Sequence, residues 1–529
     1  MYNYKYTLEV SSWSENAQKY ITDLVSKFNI SYDMEKSLIN PSQIILTLKG
    51  DKKELDKLEL RLIKNLSSHT HIEDFTKTTT FFEEDILTDN SFFDIDESNL
   101  TLIYNSKKFE NPLQECIKLL KSQKVGIIKN SNGYYICAIS NKSSTIKKIR
   151  ELTFLNTADL PLLVKNPFQA AKFVQLSKKE EELLTSDIKP LLKTKKKNLH
   201  RLEKAKNIPL NAVSVTNTYY IKMPKNFLEA KLVNEINIPL IFIRITNYKV
   251  LLEKVDFILT FEKDFLEYDD TIIQIVYGKT QIIKNGYGLS PIKISLDKQL
   301  GKNLVCSYKN STSIASGNNL ILSPSGLKKD VFFTLNNFKP DIKIENIPKT
   351  SLVKIHTYES KFIDSIIFEF SKESANIWLS KQLRSEKIYS LDKSPNEYFK
   401  YCLKNVATHK DLTNMNVEQI CDNLYEICYE KSFKYTIEEK TISIFIEELP
   451  KNEIPSVLTN TFTNIVKEIY QKYELPVILC GDLFENKNLA ENIIEFFDDN
   501  DIKYHMSSYI PVNNISCTLG AILDIIDKK

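Results

Sequence analysis

Glycine is scarce in this chain, with 11 in 529 residues. Loops that cradle phosphate with backbone amides draw on several glycines, because other residues adopt the required angles only under strain. Few such loops can be built here. The eight cysteines, Cys116, Cys137, Cys306, Cys402, Cys421, Cys428, Cys480 and Cys517, never form Cys-x-x-Cys. That scatter argues against zinc fingers and a disulfide framework and makes a reducing cytoplasm the expected compartment. An excess of one charge is also missing. The net charge is +3, so no global field draws in nucleic acid or a membrane surface. The longest apolar run, around Ile238 to Ile243, falls far short of the roughly 20 residues a bilayer requires. Met1-Tyr-Asn-Tyr-Lys5 carries no apolar signal core.

What is present describes a folded protein, 42% hydrophobic and 26% charged. Its length predicts roughly three domains. Tyr4 to Val10 alternates as a strand does, and Ser14 to Phe28 has helical spacing. Ile30 to Met34 is a weak strand and Ile44 to Leu48 a clear one; Lys52 to Leu66 is a second amphipathic helix, and Thr76 to Phe82 a final strand. The order β-α-β-β-α-β predicts a ferredoxin-like domain over 1–84. An acidic linker over 85–99 follows.

Strands and helices then alternate through a second domain over 100–300. Its strands are expected at 125–129, 133–138, 160–164, 238–243, 257–261 and 272–276. Ser177-Lys-Lys-Glu180 reads as a capping box. The lysine-rich stretch Lys193 to Lys206 reads as a solvated flap. Another α/β unit is expected over 301–529, with a helix at 411–429 and a long helix at 457–473 leading into the strand at Pro476. There the apolar run to Cys480-Gly481, the turn Asn486-Lys-Asn and the helix from Leu489 make a strand–glycine–helix passage. Such passages present backbone N–H groups to nucleotides.

Several segments, in this order along the chain, resemble the hydrogenase-maturation carbamoyltransferase family, HypF. Val125-Gly-Ile-Ile-Lys129 with Gly133-Tyr-Tyr135 is similar to the family's Val-Ala-Ile-Lys-Gly-x-Gly-Gly-Phe-His. Leu183-Leu-Thr-Ser186 with Pro190 is similar to Leu-Leu-Thr-Ser-Pro-x-x-Pro, and Tyr268-Asp-Asp-Thr-Ile272 to Asp-Asp-Ser-Val-Val. Gly286-Tyr287 with Pro291, Lys309-Asn310-Ser311 and Leu322-Ser323 have family counterparts too. The Cys480-Gly481 to Asn486 turn and Pro511-Val-Asn-Asn514 resemble Ser-Gly-Gly-Val-Phe-x-Asn and Pro-x-Asn-Asp-Gly-Gly.

The resemblance implies an acylphosphatase-like first domain, a YrdC-like α/β central domain, and a threonylcarbamoyl-transferase-like last domain of the actin (ASKHA) type. The zinc-finger segment is absent, since 76–99 holds neither cysteine nor histidine. The implied chemistry takes carbamoyl phosphate and ATP and passes a carbamoyl group to a cysteine of HypE. ATP or AMP is the implied ligand; zinc, a membrane and nucleic acid are not expected.

Carried over residue by residue, the nucleotide- and phosphate-binding candidates are Lys129, Gly133, Thr185, Ser186, Arg244, Lys309, Asn310, Gly481, Asn486 and Asn514. The family's metal-binding histidine region falls at Ile355-His356-Thr-Tyr358, which makes His356 the one metal candidate. A single imidazole is short of the ligands a catalytic metal takes. Departures from the family are many. The first-domain loop Ser11-Ser-Trp-Ser-Glu15 has no glycine or arginine, and Glu15 repels phosphate. Tyr135 replaces a histidine, Cys480 a serine and Asn514 an aspartate. The family's basic cluster is thinned to a stray Arg150 and Pro161. No catalytic residue is assigned. Three readings stand: an active carbamoyltransferase, a non-catalytic scaffold or regulator, and a nucleotide-binding module.

Overall fold

In the computed structural model the described residues are 2–10, 25, 28, 30–36, 43–51, 53–58, 72–77 and, with short gaps, 99–197, 213–370, 387–392 and 431–527. They form four sheets.

The first sheet holds β1 (Tyr2–Val10), β2 (Ser31–Lys36), β3 (Gln43–Gly50) and β4 (Ile72–Lys77), in the order β2-β3-β1-β4. Every pair is antiparallel. This is the ferredoxin-like order expected from the sequence. The last described strand lies at 72–77 and pairs Leu8 with Phe75; it overlaps the expected 76–82 strand at Thr76 and Lys77, and the rest of that expectation lies outside the described residues. Residues 53–58 are helical and bury Leu55 and Leu58. The helix expected from Ser14 falls almost wholly outside the described residues, as do the Ser11 to Glu15 loop and the helix expected at 411–429.

The second sheet has ten strands: β5 (Leu100–Ile103), β6 (Gly126–Asn130), β7 (Gly133–Ile139), β8 (Leu162–Leu163), β9 (Leu191–Lys195), β10 (Thr218–Lys222), β11 (Leu240–Ile245), β12 (Phe257–Phe261), β13 (Ile272–Val276) and β14 (Lys279–Lys284). Their order is β14-β13-β9-β10-β8-β11-β7-β6-β12-β5, with mixed directions. Both faces are covered, so its strands read as near-continuous apolar runs. One core packs Ile127, Ile136 and Ile241 against Ile146 and Ile149 of helix Ser143–Thr153. The other packs Ile128, Cys137, Phe242 and Phe257 against helices Pro112–Lys121 and Phe227–Ile236. The capping box at Ser177 and Glu180 forms as expected. The flap does not begin at Lys193: residues 191–195 are an internal strand between β13 and β10.

The third sheet is a long hairpin, β15 (Ile292–Tyr308) with β16 (Ser311–Leu322), plus β17 (Ile342–Ile344) parallel to β15. β15 runs through residue 300, where the sequence placed the end of the second domain. Helices Ser351–Ser360 and Cys517–Asp527 pack together, and Gly520 is why they approach so closely: a Cβ there would fall 1.7 Å from the Ser351 carbonyl oxygen.

The fourth sheet has the order β20-β21-β19-β18-β22-β23. Its strands are β18 (Ile366–Glu369), β19 (Lys387–Leu391), β20 (Lys434–Glu438), β21 (Thr441–Phe445), β22 (Val477–Cys480) and β23 (Tyr504–His505). All neighbours are parallel except β20 and β21. Helices Ile454–Tyr473 and Lys487–Asp499 bury Phe462, Ile465, Ile493 and Phe497 against it. Among the described residues no helix is long and apolar enough to cross a membrane.

Candidate functional site

The end of β10 and the start of helix Phe227–Ile236 build a buried ionic cluster in the central sheet. Asn226 caps that helix, its Oδ1 accepting from the Glu229 N–H at 2.9 Å. This turn of chain brings Lys222, Lys225 and Glu229 together, all buried. Lys222 Nζ lies 3.0 Å from Glu229 and 3.8 Å from Asp270; Lys225 Nζ lies 3.9 Å from Asp270. The Tyr135 hydroxyl donates to Asp270 at 2.9 Å, and the Asn130 amide donates to Glu229 at 2.5 Å. Lys222 also sits 4.6 Å from the ring centre of Tyr135 and 4.8 Å from that of Phe242.

Two cations therefore face two carboxylates in a buried group, in which Lys222 Nζ and Asp270 Oδ1 are held by charge and make no hydrogen bond. Burial alone would push Asp270 up, but Lys222, Lys225 and the Tyr135 hydroxyl hold it below the usual carboxylate range. Burial likewise opposes the Lys222 charge, and Asp270 and Glu229 overcome it, raising the group. For Lys225 burial wins and pulls the ammonium down to about 8.

Gly133 and Arg244 join this region. Gly133 has φ +140°, and a Cβ there would meet the Arg244 guanidinium at 2.3 Å. Arg244 donates to the Ile245 carbonyl at 2.7 Å and lies 3.9 Å from Glu267; its charge also helps hold Asp270 down. Lys129 donates to the Phe261 carbonyl at 3.0 Å and rests on that ring. The Thr185 hydroxyl donates back to the Glu181 carbonyl and that of Ser186 to Leu183, so both serve their own helix end. Arg150 donates to the Val213 carbonyl. Of the basic stretch, Lys195 pairs with Glu491 at 2.5 Å, Lys196 donates to Ser214 and Lys197 to Ala171. Sequence reasoning missed Lys222, Lys225 and Glu229, and it met Asp270 only as part of the Tyr268–Ile272 segment, without a role. The available signal was Asn226-x-x-Glu229, a helix-start pattern just beyond a lysine that ends an apolar strand.

The C-terminal turn takes the expected form. Gly481, at φ +111°, lets the chain leave β22 beside Phe370, whose backbone a Cβ would approach to 2.4 Å. Asn486 caps helix Lys487–Asp499, its Oδ1 accepting from Leu489 N–H at 2.8 Å. Asn514 donates to Asp482 at 3.2 Å and accepts from the Cys517 thiol at 3.3 Å. Gly481, Asn486 and Asn514 are thus gathered at one end of the sheet. Cys480 is buried, which drives its thiol well up and makes it a poor nucleophile. Lys309 sits in the β15–β16 turn over the Tyr308 ring, and Asn310 lies outside the described residues.

This turn faces the central sheet. Gln274 and Lys193 donate to the Glu485 carbonyl at 2.9 and 3.3 Å, and Gln281 donates to that of Phe484 at 3.1 Å. Asn513 donates to Ile283 and to Glu485. Lys487 reaches Glu180 at 3.1 Å. The carbonyls of Phe484 and Glu485 thus line a seam between two units of the protein, while the N–H groups of Gly481, Leu483, Phe484 and Asn486 bond to carbonyls within their own unit.

His356 does not stand alone in the fold. His356 and Glu359 share helix Ser351–Ser360, and β23 brings His505 beside them. His505 Nε2 lies 3.2 Å and His356 Nδ1 3.6 Å from Glu359 Oε2. Burial opposes the Glu359 charge, but His356, His505 and the Ser507 hydroxyl outweigh it and hold the carboxyl at about 2.

No protein-family model matches the sequence, and no curated protein matches it. Solved structures do. Full-length HypF in its phosphate- and nucleotide-bound form superposes with a TM-score of 0.68 at 14% identity, covering 100% of this chain and 99% of that one. HypF from T. kodakarensis gives 0.63 at 12% identity over 98% of each chain. The multidomain α/β fold read from the sequence is thus observed, and from end to end the chain has the fold of full-length HypF.

Proposed function

We propose that this chain is a HypF-like protein related to carbamoyl transfer, from carbamoyl phosphate and ATP to a partner cysteine in NiFe-hydrogenase maturation. We further propose that this copy no longer runs the reaction and acts as a cytoplasmic scaffold for a maturation partner such as HypE. One observation carries this reading. The buried lysines that could hold a phosphate in the central unit, Lys222 and Lys225, are matched one for one by Glu229 and Asp270. An anion entering that group would have to displace a carboxylate, which leaves a buried charge uncompensated.

The test is turnover and binding together. Purified protein with carbamoyl phosphate and ATP should release neither phosphate nor AMP above the blank, while HypE should co-elute with it. AMP formation would overturn the reading. A second reading, a nucleotide-binding regulator, is favoured by the strand–glycine–helix passage at Gly481 and Asn486. It predicts that ATP or AMP raises the melting temperature, as any ligand specific to the native state must.

A further inference from the structure

We propose that His356, Glu359 and His505 form a binding site for a divalent transition-metal ion of the zinc class, set apart from the Gly481–Asn514 turn. His356 is fully buried, and neither of its ring nitrogens makes a hydrogen bond. Burying a polar ring without partners is costly, and protein interiors seldom leave one so. The three donor atoms lie within 4.8 Å of one another. With metal–ligand bonds near 2.1 Å, tetrahedral donors stand about 3.4 Å apart. The separations of 3.2 and 3.6 Å to Glu359 Oε2 bracket that value.

The donor set selects the metal. Two imidazoles and one carboxylate suit zinc and its transition-metal neighbours, whereas calcium and magnesium take oxygen. Ser507 donates to the other Glu359 oxygen at 2.5 Å, the kind of outer contact that orients a ligating carboxylate. Three protein donors leave a fourth position open. The Glu359 and His505 side chains are 20% and 19% exposed, so an ion can reach them.

The site is not the turn already described. Helix Ser351–Ser360 meets Gly520 at Ser351, and His356 lies five residues further on, about 7.5 Å along the axis. His505 is level with Ile478, two residues before the strand end at Cys480.

Metal content tests this without reference to nucleotide or carbamoyl phosphate, so it succeeds or fails independently of the functional reading. The full chain is stripped with EDTA and titrated with Zn²⁺, then with Co²⁺ as a spectroscopic probe. One equivalent should bind, Zn²⁺ should raise the melting temperature, and Co²⁺ should give visible absorption. His505→Asn and Glu359→Gln should each weaken binding more than about tenfold while circular dichroism confirms that they fold. No bound metal would overturn the proposal. So would either variant binding as tightly as the parent, since the ion would then sit elsewhere. Should both variants fail to fold, a Cys at 505 offers a soft donor in place of the imidazole: His505→Cys should shift the Co²⁺ spectrum to thiolate charge transfer, and an unshifted spectrum overturns the assignment.

Discussion

Lys222 carries its charge inside the protein because two carboxylates and two aromatic rings take the place of water. Removing one member of such a group costs more than the group contributes, since the partners stay buried and charged. Lys222→Ala should destabilise the protein by about 3–5 kcal/mol in urea unfolding; a loss below 1 kcal/mol would mean that Glu229 and Asp270 find other partners. Lys196 gives a pH prediction. Burial pulls its ammonium down to about 8, from an ordinary value of 10.5. Between those values the unfolded chain holds a proton that the native state has released, so this group makes stability rise with pH across that window. Native protein should therefore gain on Lys196→Met as pH goes from about 8 to about 10, read from urea midpoints. None of this was legible residue by residue. A lysine in a sequence reads as surface, and only tertiary pairing reveals one that is not. Gly481 and Asn486 were legible because their roles are local.

Elements were easier to read than residues. Strands such as β12 and β13 fall where the apolar runs put them, and the capping box at Ser177 starts its helix where the hydroxyl and carboxylate spacing requires. The errors have physical causes. Lys193 and Lys195 masked β9, because alternation was judged by charge, yet Lys193 bonds to a carbonyl of another unit and Lys195 to Glu491. The last described strand of the first sheet begins earlier than Thr76, because Ile72 to Phe75 pair with β1 although their propensity is modest. Gly481→Ala tests the turn that joins β22 to its helix. The φ of +111° and the contact with Phe370 should together cost about 3 kcal/mol or more, measured by chemical denaturation. A neutral result would show that the turn can relax.

At the scale of the whole molecule, the central and C-terminal units are joined by hydrogen bonds that reach from side chains on β9, β13 and β14 to the carbonyls of Phe484 and Glu485. The buried pair Lys487–Glu180 adds to them. Lys487→Glu would set a third carboxylate against Glu180 and Glu491. Calorimetry should then resolve two transitions for these units, at lower temperatures than the parent; an unchanged trace would mean the seam does not couple them. The order of the modules was legible in the sequence, from the colinear segments. The seam was not, because the glutamines that form it read as ordinary strand residues.

That seam also bears on how the protein can be divided. Gln274 and Gln281 are fully buried and donate to the turn after Gly481. A fragment ending at β14 would bare those amides, the Lys193 stem and Val276, which packs into the C-terminal core, to solvent all at once. Such a fragment would be sticky and would tend to precipitate during purification, while co-expression with the missing half should keep both in the supernatant. The halves would then behave as obligate companions, and the scissors best suited to this chain would cut between the first sheet and β5.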